Sequence, residues 1–367
     1  MTHQDADSRF PRGERLDESG RFTREELQLA FRNRGMPLEA LRYPLTPTGM
    51  HYLLTHFDVP YVDAATWTLT VGGLVSKTLT LDIDAIRARP ATTLAVTMEC
   101  AGNGRALLTP RPASQPWLLE AVGTAEWTGT PLRGVLEDAG IDDGAVEVLF
   151  TGLDRGVQGD EVQSYQRSLS IDEATRPEVL LAYEMNGAPL EPQHGYPLRL
   201  LVPGWYGMTS VKWLERIELV AEPFTGFQMM DSYRYRQTSD EAGVPVDLIR
   251  VRALMAPPGI PDFYTRTRLV EAGPITLTGR AWAGRARIAR VEVSTDGGAG
   301  WADATLEPAL SPHAWRGWSF EWTSIPGHHT LSVRATDEGG NVQPIEQSWT
   351  ISGVGNNMAQ RVDVIVE

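Results

Sequence analysis

Beyond residue 247 the sequence breaks into short apolar runs of strand-like composition, over 275–282, 288–294, 318–322 and 331–335. Turns such as Asp296-Gly297-Gly298 and Asp337-Glu338-Gly339-Gly340-Asn341 divide them. Runs of this length bury their apolar faces by stacking sheet on sheet, so the pattern predicts a β-sandwich of immunoglobulin type, without the disulfide of that fold. The preceding two hundred residues read differently. Strand-like runs at 67–71, 94–98, 146–151 and 198–202 mix with helical patterns at 81–89 and 132–139. Because strand and helix do not alternate regularly, an α+β arrangement is expected rather than a doubly wound sheet. At the N-terminus, Thr23 and Glu26 have capping-box spacing ahead of Leu27, Leu29, Ala30 and Phe31. The expected organisation is an arm over 1–40, an α+β domain over 41–245 and an immunoglobulin-like sandwich over 246–367, joined through the Gly- and Pro-containing stretch 224–261.

Two domains of ordinary size suit a chain of 367 residues. Its formal net charge of −14 argues against nucleic acid as a partner, since phosphate neutralisation requires a surplus of Lys and Arg. One cysteine excludes an intrachain disulfide and any structural zinc site built on several cysteines. No run of 18 apolar residues occurs, and residues 1–16 lack the apolar core of a secretion signal, so no membrane association and a cytoplasmic location are expected.

The common nucleotide and hydrolase signatures, GxGxxG after a strand, GxxxxGK[ST], HExxH and GxSxG, are missing. What remains is the lone cysteine, in Thr97-Met98-Glu99-Cys100-Ala101-Gly102-Asn103-Gly104-Arg105. A thiol at the end of a strand, opening into a Gly/Asn turn, can face a ligand that the backbone approaches closely, and Arg105 can depress its pKa or grip an oxyanion. A small buried cysteine kept for packing has the same local appearance, and composition does not separate the two.

The segment resembles the Cys-Ala-Gly-Asn-x-Arg motif of the sulfite oxidase and assimilatory nitrate reductase family of molybdenum enzymes. The likeness continues in Leu181-Ala182-Tyr183-Glu184-Met185-Asn186-Gly187, His194-Gly195-Tyr196-Pro197-Leu198-Arg199, Pro203-Gly204, Gly207 and Val211-Lys212-Trp213-Leu214. It extends to Gly339-Gly340-Asn341-Val342-Gln343-Pro344 in the sandwich, which is similar to the family's dimerisation domain. The resemblance implies that residues 41–245 form a molybdopterin-binding catalytic domain, that Cys100 binds molybdenum beside a single molybdopterin, and that the protein pairs as a homodimer. It implies that Arg105 and Arg361 hold the substrate anion, that Trp117 walls the pocket, and that Tyr183 moves a proton. His194, Arg199, Ser210 and Lys212 fall in segments the family uses for the cofactor's phosphate; Asp154 and Arg167 fall in matched stretches without an assigned role.

The match departs from the animal and plant sulfite oxidases at one place. Their Thr-Arg-Asn-His stretch carries an arginine that faces the anion, and this chain has Leu54-Thr55-His56-Phe57-Asp58 instead. His56 stands either near the pterin or in the arginine's place as a weaker, pH-dependent cation; Arg167 or Arg155 could compensate. No haem motif is visible, so electrons are expected to pass to an external acceptor such as a c-type cytochrome. The expected reaction is oxidation of sulfite to sulfate. The missing arginine leaves open reduction of an S-oxide, an N-oxide or nitrate with the same cofactor, and a cofactor-free binding protein on the same fold is a remoter possibility.

Overall fold

The computed structural model of the protein describes residues 15–17 and 21–367. The expected first helix forms over Arg24–Arg32. Thr23 caps it: Glu26 N–H donates to Thr23 Oγ1 at 3.2 Å, and Thr23 N–H donates to Glu26 Oε2 at 2.9 Å. The Glu26 carboxylate is buried there and ion-paired with Arg111, which fastens the helix onto the strand Arg111–Ala113.

The first half of the chain is α+β and built on two sheets. In one, Ala188–Pro189, Leu180–Met185, Val122–Pro131 and Thr92–Glu99 lie side by side, with Arg199–Leu201 also paired to Leu180–Met185, all antiparallel. The other has the order Leu79–Leu81, Leu69–Gly73, Leu214–Val220, Glu147–Gln158, Glu161–Ser170. The helix Leu132–Ala139 matches the expected bounds, with Leu132, Val135, Leu136 and Ala139 buried at i, i+3, i+4 and i+7.

Alternation over residues 180–183, followed by a register shift against Thr128 and Gly129, sends the residues of Leu180–Met185 into two different cores. Leu181 and Tyr183 pack with Phe150, Val148 and Ile217, whereas Leu180, Ala182 and Met185 pack with Val96, Met98, Cys100 and Trp127. That division decides which side chains reach Cys100.

The second half is the expected sandwich. A four-stranded sheet runs Arg252–Met255, Gly273–Trp282, Arg316–Ser324, Thr305–Leu306. A six-stranded sheet runs Ile260–Pro261, Arg268–Val270, Gln360–Val366, Gly327–Asp337, Ile288–Ser294, Ala302–Asp303. A third core joins the halves, gathering Met36 and Leu41 from the N-terminal segment, Ala101, Val122, Tyr206 and Tyr233, and Leu254, Trp282 and Trp315 from the sandwich. Ala101 follows Cys100 directly, so the turn that bears the thiol lies at this joint.

Candidate active site

Cys100 stands immediately after the strand Thr92–Glu99. Its N–H donates to Ala121 O at 2.9 Å, and Asn103 N–H donates back to Cys100 O at 3.0 Å. Gly104 adopts φ +89°, a left-handed conformation that side-chain-bearing residues rarely take, and the chain turns there into a short helical turn over Arg105–Leu107. This folds Arg105 back over Gly102, where an added Cβ would lie 2.7 Å from the guanidinium.

The sulfur is buried. Loss of hydration pushes the thiol up, while Arg105, the Gly102 backbone N–H and the Trp117 indole favour the thiolate. The Trp117 N–H has no partner of full hydrogen-bond geometry among the described residues, so its effect on the sulfur is that of an oriented dipole.

Cys100 opens on a cleft of about 620 Å³, solvent-open space included, lined also by His51, His56, Asp154, Tyr165, His194, Arg199, Ser210 and Lys212. Its walls carry basic groups, of which Arg199, His194 and His51 are buried. Arg199 donates to His194 O and Ser210 O, each at 3.0 Å, and lies over the Trp127 ring. Lys212 Nζ donates to Leu54 O at 2.9 Å and Gln193 O at 3.0 Å. Burial and the neighbouring cations push Lys212 down to about 7, His51 to about 4 and His194 to about 2; burial alone pushes Arg199 to about 10. Asp154 is pushed up to about 6 by burial, opposed by Lys212.

Of the residues expected from the sequence, Cys100, His56, His194, Arg199, Ser210 and Lys212 converge on the cleft, and Arg105 and Trp117 back the thiol. Two do not come to it. Tyr183 points into the other core, beneath the Arg87 guanidinium 5.2 Å from its ring, because strand alternation puts it on the face opposite Ala182. Arg361 points outward from Gln360–Val366 and pairs with Glu346 at 3.3 Å; its neighbour Gln360 takes the inward position.

His56 is held neutral rather than as a pH-dependent cation, pushed down to about 3 by burial and by Lys212, Arg105 and Arg167. Its Nε2 lies 2.6 Å from Tyr233 Oη, and its ring stacks at 4.7 Å on Tyr165. Tyr233 was not expected, since it sits in the Gly- and Pro-rich stretch read as the interdomain join. The alternation Tyr233-Arg234-Tyr235-Arg236 is the signal there. His51, five residues before His56, is a second addition; Arg167 is buried, and Arg155 is exposed.

The residues fit the cofactor that the resemblance implies. His51 Nε2, His194 Nε2 and Asp154 Oδ1 are buried cleft atoms without a hydrogen-bond partner among the described residues, where a polar ligand would supply one. Arg199 depresses Lys212, His51 and His194, and Lys212 and His51 further depress His194, which an anionic phosphate would relieve. Among the described residues no three His, Cys, Asp or Glu side chains gather as a metal cluster. The protein thus offers one soft sulfur donor, and a metal held here would take its other donors from a dithiolene-type partner.

Comparison with known proteins bears on the whole chain. Residues 56–228 match the family model "Oxidoreductase molybdopterin binding domain", and residues 261–367 match "Mo-co oxidoreductase dimerisation domain". Sulfite oxidase of Arabidopsis thaliana is 33% identical over 351 residues, 87% of each chain. Mitochondrial sulfite oxidase of Mus musculus is 34% identical over 348 residues, 88% of this chain and 62% of the mouse protein, so the chain spans less than two thirds of that relative's length. Nitrate reductase [NADH] 2 of Phaseolus vulgaris is 30% identical over 361 residues, 90% of this chain and 40% of the bean protein. Among solved structures, the sulfane dehydrogenase SoxCD of Paracoccus pantotrophus superposes with a TM-score of 0.78 at 26% identity, over 91% of this chain and 86% of that one. On this agreement of sequence, architecture and cleft, the chain belongs to the sulfite oxidase family of molybdopterin oxidoreductases.

Proposed function

We propose that the protein is a molybdenum-dependent oxidoreductase that oxidises sulfite: sulfite and water become sulfate, two protons and two electrons. The observation that carries this reading is the juxtaposition of one buried thiol with a desolvated, basic cleft. Cys100 would be the protein's ligand to molybdenum, and the metal, held also by the sulfurs of molybdopterin, would supply the two-electron redox chemistry. Arg199, Lys212, His194 and Ser210 hold the cofactor's anionic end, where their donors and mutual repulsion favour a phosphate. Arg105 would face the substrate anion, Trp117 would exclude water beside the sulfur, and Tyr233, hydrogen-bonded to His56, would hold a proton at its Oη for the reaction.

Electrons leave to an external acceptor, for which a c-type cytochrome is the partner we propose, and the sandwich pairs two copies as a homodimer. A cytoplasmic location is part of the same proposal. The test is molybdenum and pterin content of protein made in a molybdopterin-producing host, with sulfite-dependent reduction of cytochrome c. Near-stoichiometric metal and sulfite turnover are expected, and Cys100→Ser is expected to abolish both. A metal-free protein from a competent host would refute the reading.

A second direction, reduction of an S-oxide, an N-oxide or nitrate, has one observation in its favour. His56 is neutral where an arginine would favour an anion. Oxidation of reduced viologen by such oxides at rates above sulfite turnover would select it.

A further inference from the structure

We propose that Arg167 is, with Arg105, an anion-binding residue of this site, supplying the permanent positive charge that the segment around His56 lacks. The inference rests on the functional reading above and narrows it to an anionic substrate.

Arg167 lies on the strand Glu161–Ser170, paired opposite Phe150, and is 1% exposed. Tyr165, two residues earlier and therefore on the same face of the strand, lines the cleft and stacks on His56. The Arg167 guanidinium lies 5.6 Å from the Tyr233 ring centroid. It is thus on the Tyr233 and His56 side of the cleft, away from the Arg199 and His194 wall.

Its charge has no counterpart. Among the described residues no carboxylate pairs with Arg167: Nη1 donates to Gln228 O, and Nε has no partner. Glu147 attracts it from a distance, but that carboxylate accepts from Phe224 N at 2.9 Å. Arg105 likewise has no carboxylate in ion-pair contact among the described residues: it donates to Ser352 O and Gln115 O, each at 3.0 Å, and the Cys100 sulfur and, more distantly, Glu26 favour its charge. A guanidinium does not shed its proton, so two of them buried around one hydroxyl and one neutral imidazole are costly unless an anion joins them. Holding Gln228 O would require only a neutral donor. The planar fork and fixed charge of arginine suit an oxyanion with two or more oxygens, such as sulfite or sulfate.

The test compares molybdenum-loaded wild type, Arg167→Gln and Arg167→Lys in sulfate affinity by calorimetry and in KM and kcat for sulfite, with metal content and Tm as controls. Arg167→Gln is expected to keep its molybdenum and to raise both the sulfate Kd and the sulfite KM roughly ten- to hundredfold, with kcat changed only a few fold. Arg167→Lys is expected to recover part of the loss. Sulfate Kd and sulfite KM unchanged in Arg167→Gln would overturn the proposal, as would a wild type that does not bind sulfate at millimolar concentration. If the glutamine variant does not fold, a crystal of wild type soaked in sulfate decides: an oxygen within hydrogen-bond distance of Arg167 upholds the assignment, and sulfate held elsewhere defeats it. A wild type that binds sulfate at Arg167 but lacks molybdenum would defeat the functional reading alone.

Discussion

Glu99 Oε1 and Arg252 Nη1 lie 2.7 Å apart, both side chains almost fully buried, one on the residue before Cys100 and the other opening the sandwich strand Arg252–Met255. The same carboxylate accepts from Trp282 Nε1 at 2.8 Å and from Asn103 Nδ2 at 3.0 Å. Asn356 Nδ2 donates to Gly104 O at 2.9 Å, and Gly355 N–H donates to Ala101 O at 2.7 Å. Every residue of the thiol-bearing turn from Glu99 to Gly104 except Cys100 and Gly102 is therefore held by a group near it in this network, and most of those groups belong to the sandwich. The sandwich fixes where the Cys100 thiol points.

Removing one partner of that pair should be felt twice. Arg252→Leu leaves Glu99 charged without its guanidinium, at an expected cost of about 3–5 kcal/mol, the scale for breaking a buried pair. The loosened turn should also retain less molybdenum. Urea unfolding and metal content of the purified variant measure the two effects, and unchanged values of both would show that the sandwich does not position Cys100.

Two tyrosines give opposite expectations. Tyr233→Phe removes the hydroxyl that meets His56 at 2.6 Å and is expected to lower kcat/KM for sulfite roughly tenfold or more, with stability little altered. Tyr183→Phe acts in the other core, under Arg87, and should leave turnover as it was. Steady-state kinetics of the two variants separate them, and a silent Tyr233→Phe would remove Tyr233 from the proton pathway.

That contrast marks where the sequence was legible. The sandwich strands, the helix Leu132–Ala139 and the capping box at Thr23 rest on local periodicity and turn chemistry, and they appear as read. Cys100, Arg105, His194, Arg199 and Lys212 lie in compact motifs whose spacing keeps them together in space. Tyr183 also lies in a compact motif, but motif proximity does not say which face of a strand a residue takes, and period-2 alternation turned it away. Tyr233 and Arg167 reach the site through tertiary packing alone, from 133 and 67 residues along the chain, counting from Cys100 to positions 233 and 167. The alternation over residues 233–236 and the matched stretch around Arg167 mark these residues without saying which cleft they face.

Cleft histidines set an acid limit. His51 and His194 have pKa values lowered to about 4 and about 2, against 6.5 when unfolded. Below pH 6.5 the unfolded chain binds protons that the folded chain refuses, so stability falls as pH drops from 6.5 towards 4. Lys212, lowered to about 7 from 10.5, has the same sign at higher pH: the unfolded chain holds its proton between about 7 and 10.5 and the folded one does not, so stability rises with pH across that window. Cofactor-free protein should therefore unfold most readily in acid, with net proton uptake on unfolding near pH 5. Thermal unfolding across pH 4.5–8 measures it, and a flat profile through that range would contradict the desolvated cleft. Bound phosphate should restore the Lys212 proton, seen as proton uptake on binding at pH 8.

Gly102 offers a perturbation of Arg105 that leaves its charge in place. An alanine Cβ there would meet the guanidinium carbon and its two Nη atoms at 2.7–2.8 Å, with no backbone atom closer, so the flexible end of Arg105 must move. Gly104→Ala is different in kind: φ is +89°, and the Cβ would press on Asn356 and Arg252 at 3.1–3.2 Å, so backbone strain adds to crowding of the network that holds Glu99. Gly102→Ala is thus expected to keep most of its stability and its molybdenum while raising KM for sulfite roughly tenfold, because a displaced fork loses a charge-assisted contact. Gly104→Ala is expected to lose stability by about 1–2 kcal/mol, the left-handed penalty for a residue with a side chain. Tm, metal content and KM measured on both variants sort the two effects. A Gly102→Ala enzyme with wild-type KM would mean that the guanidinium of Arg105 can shift without being missed by the substrate, and its place in the anion site would have to be given up.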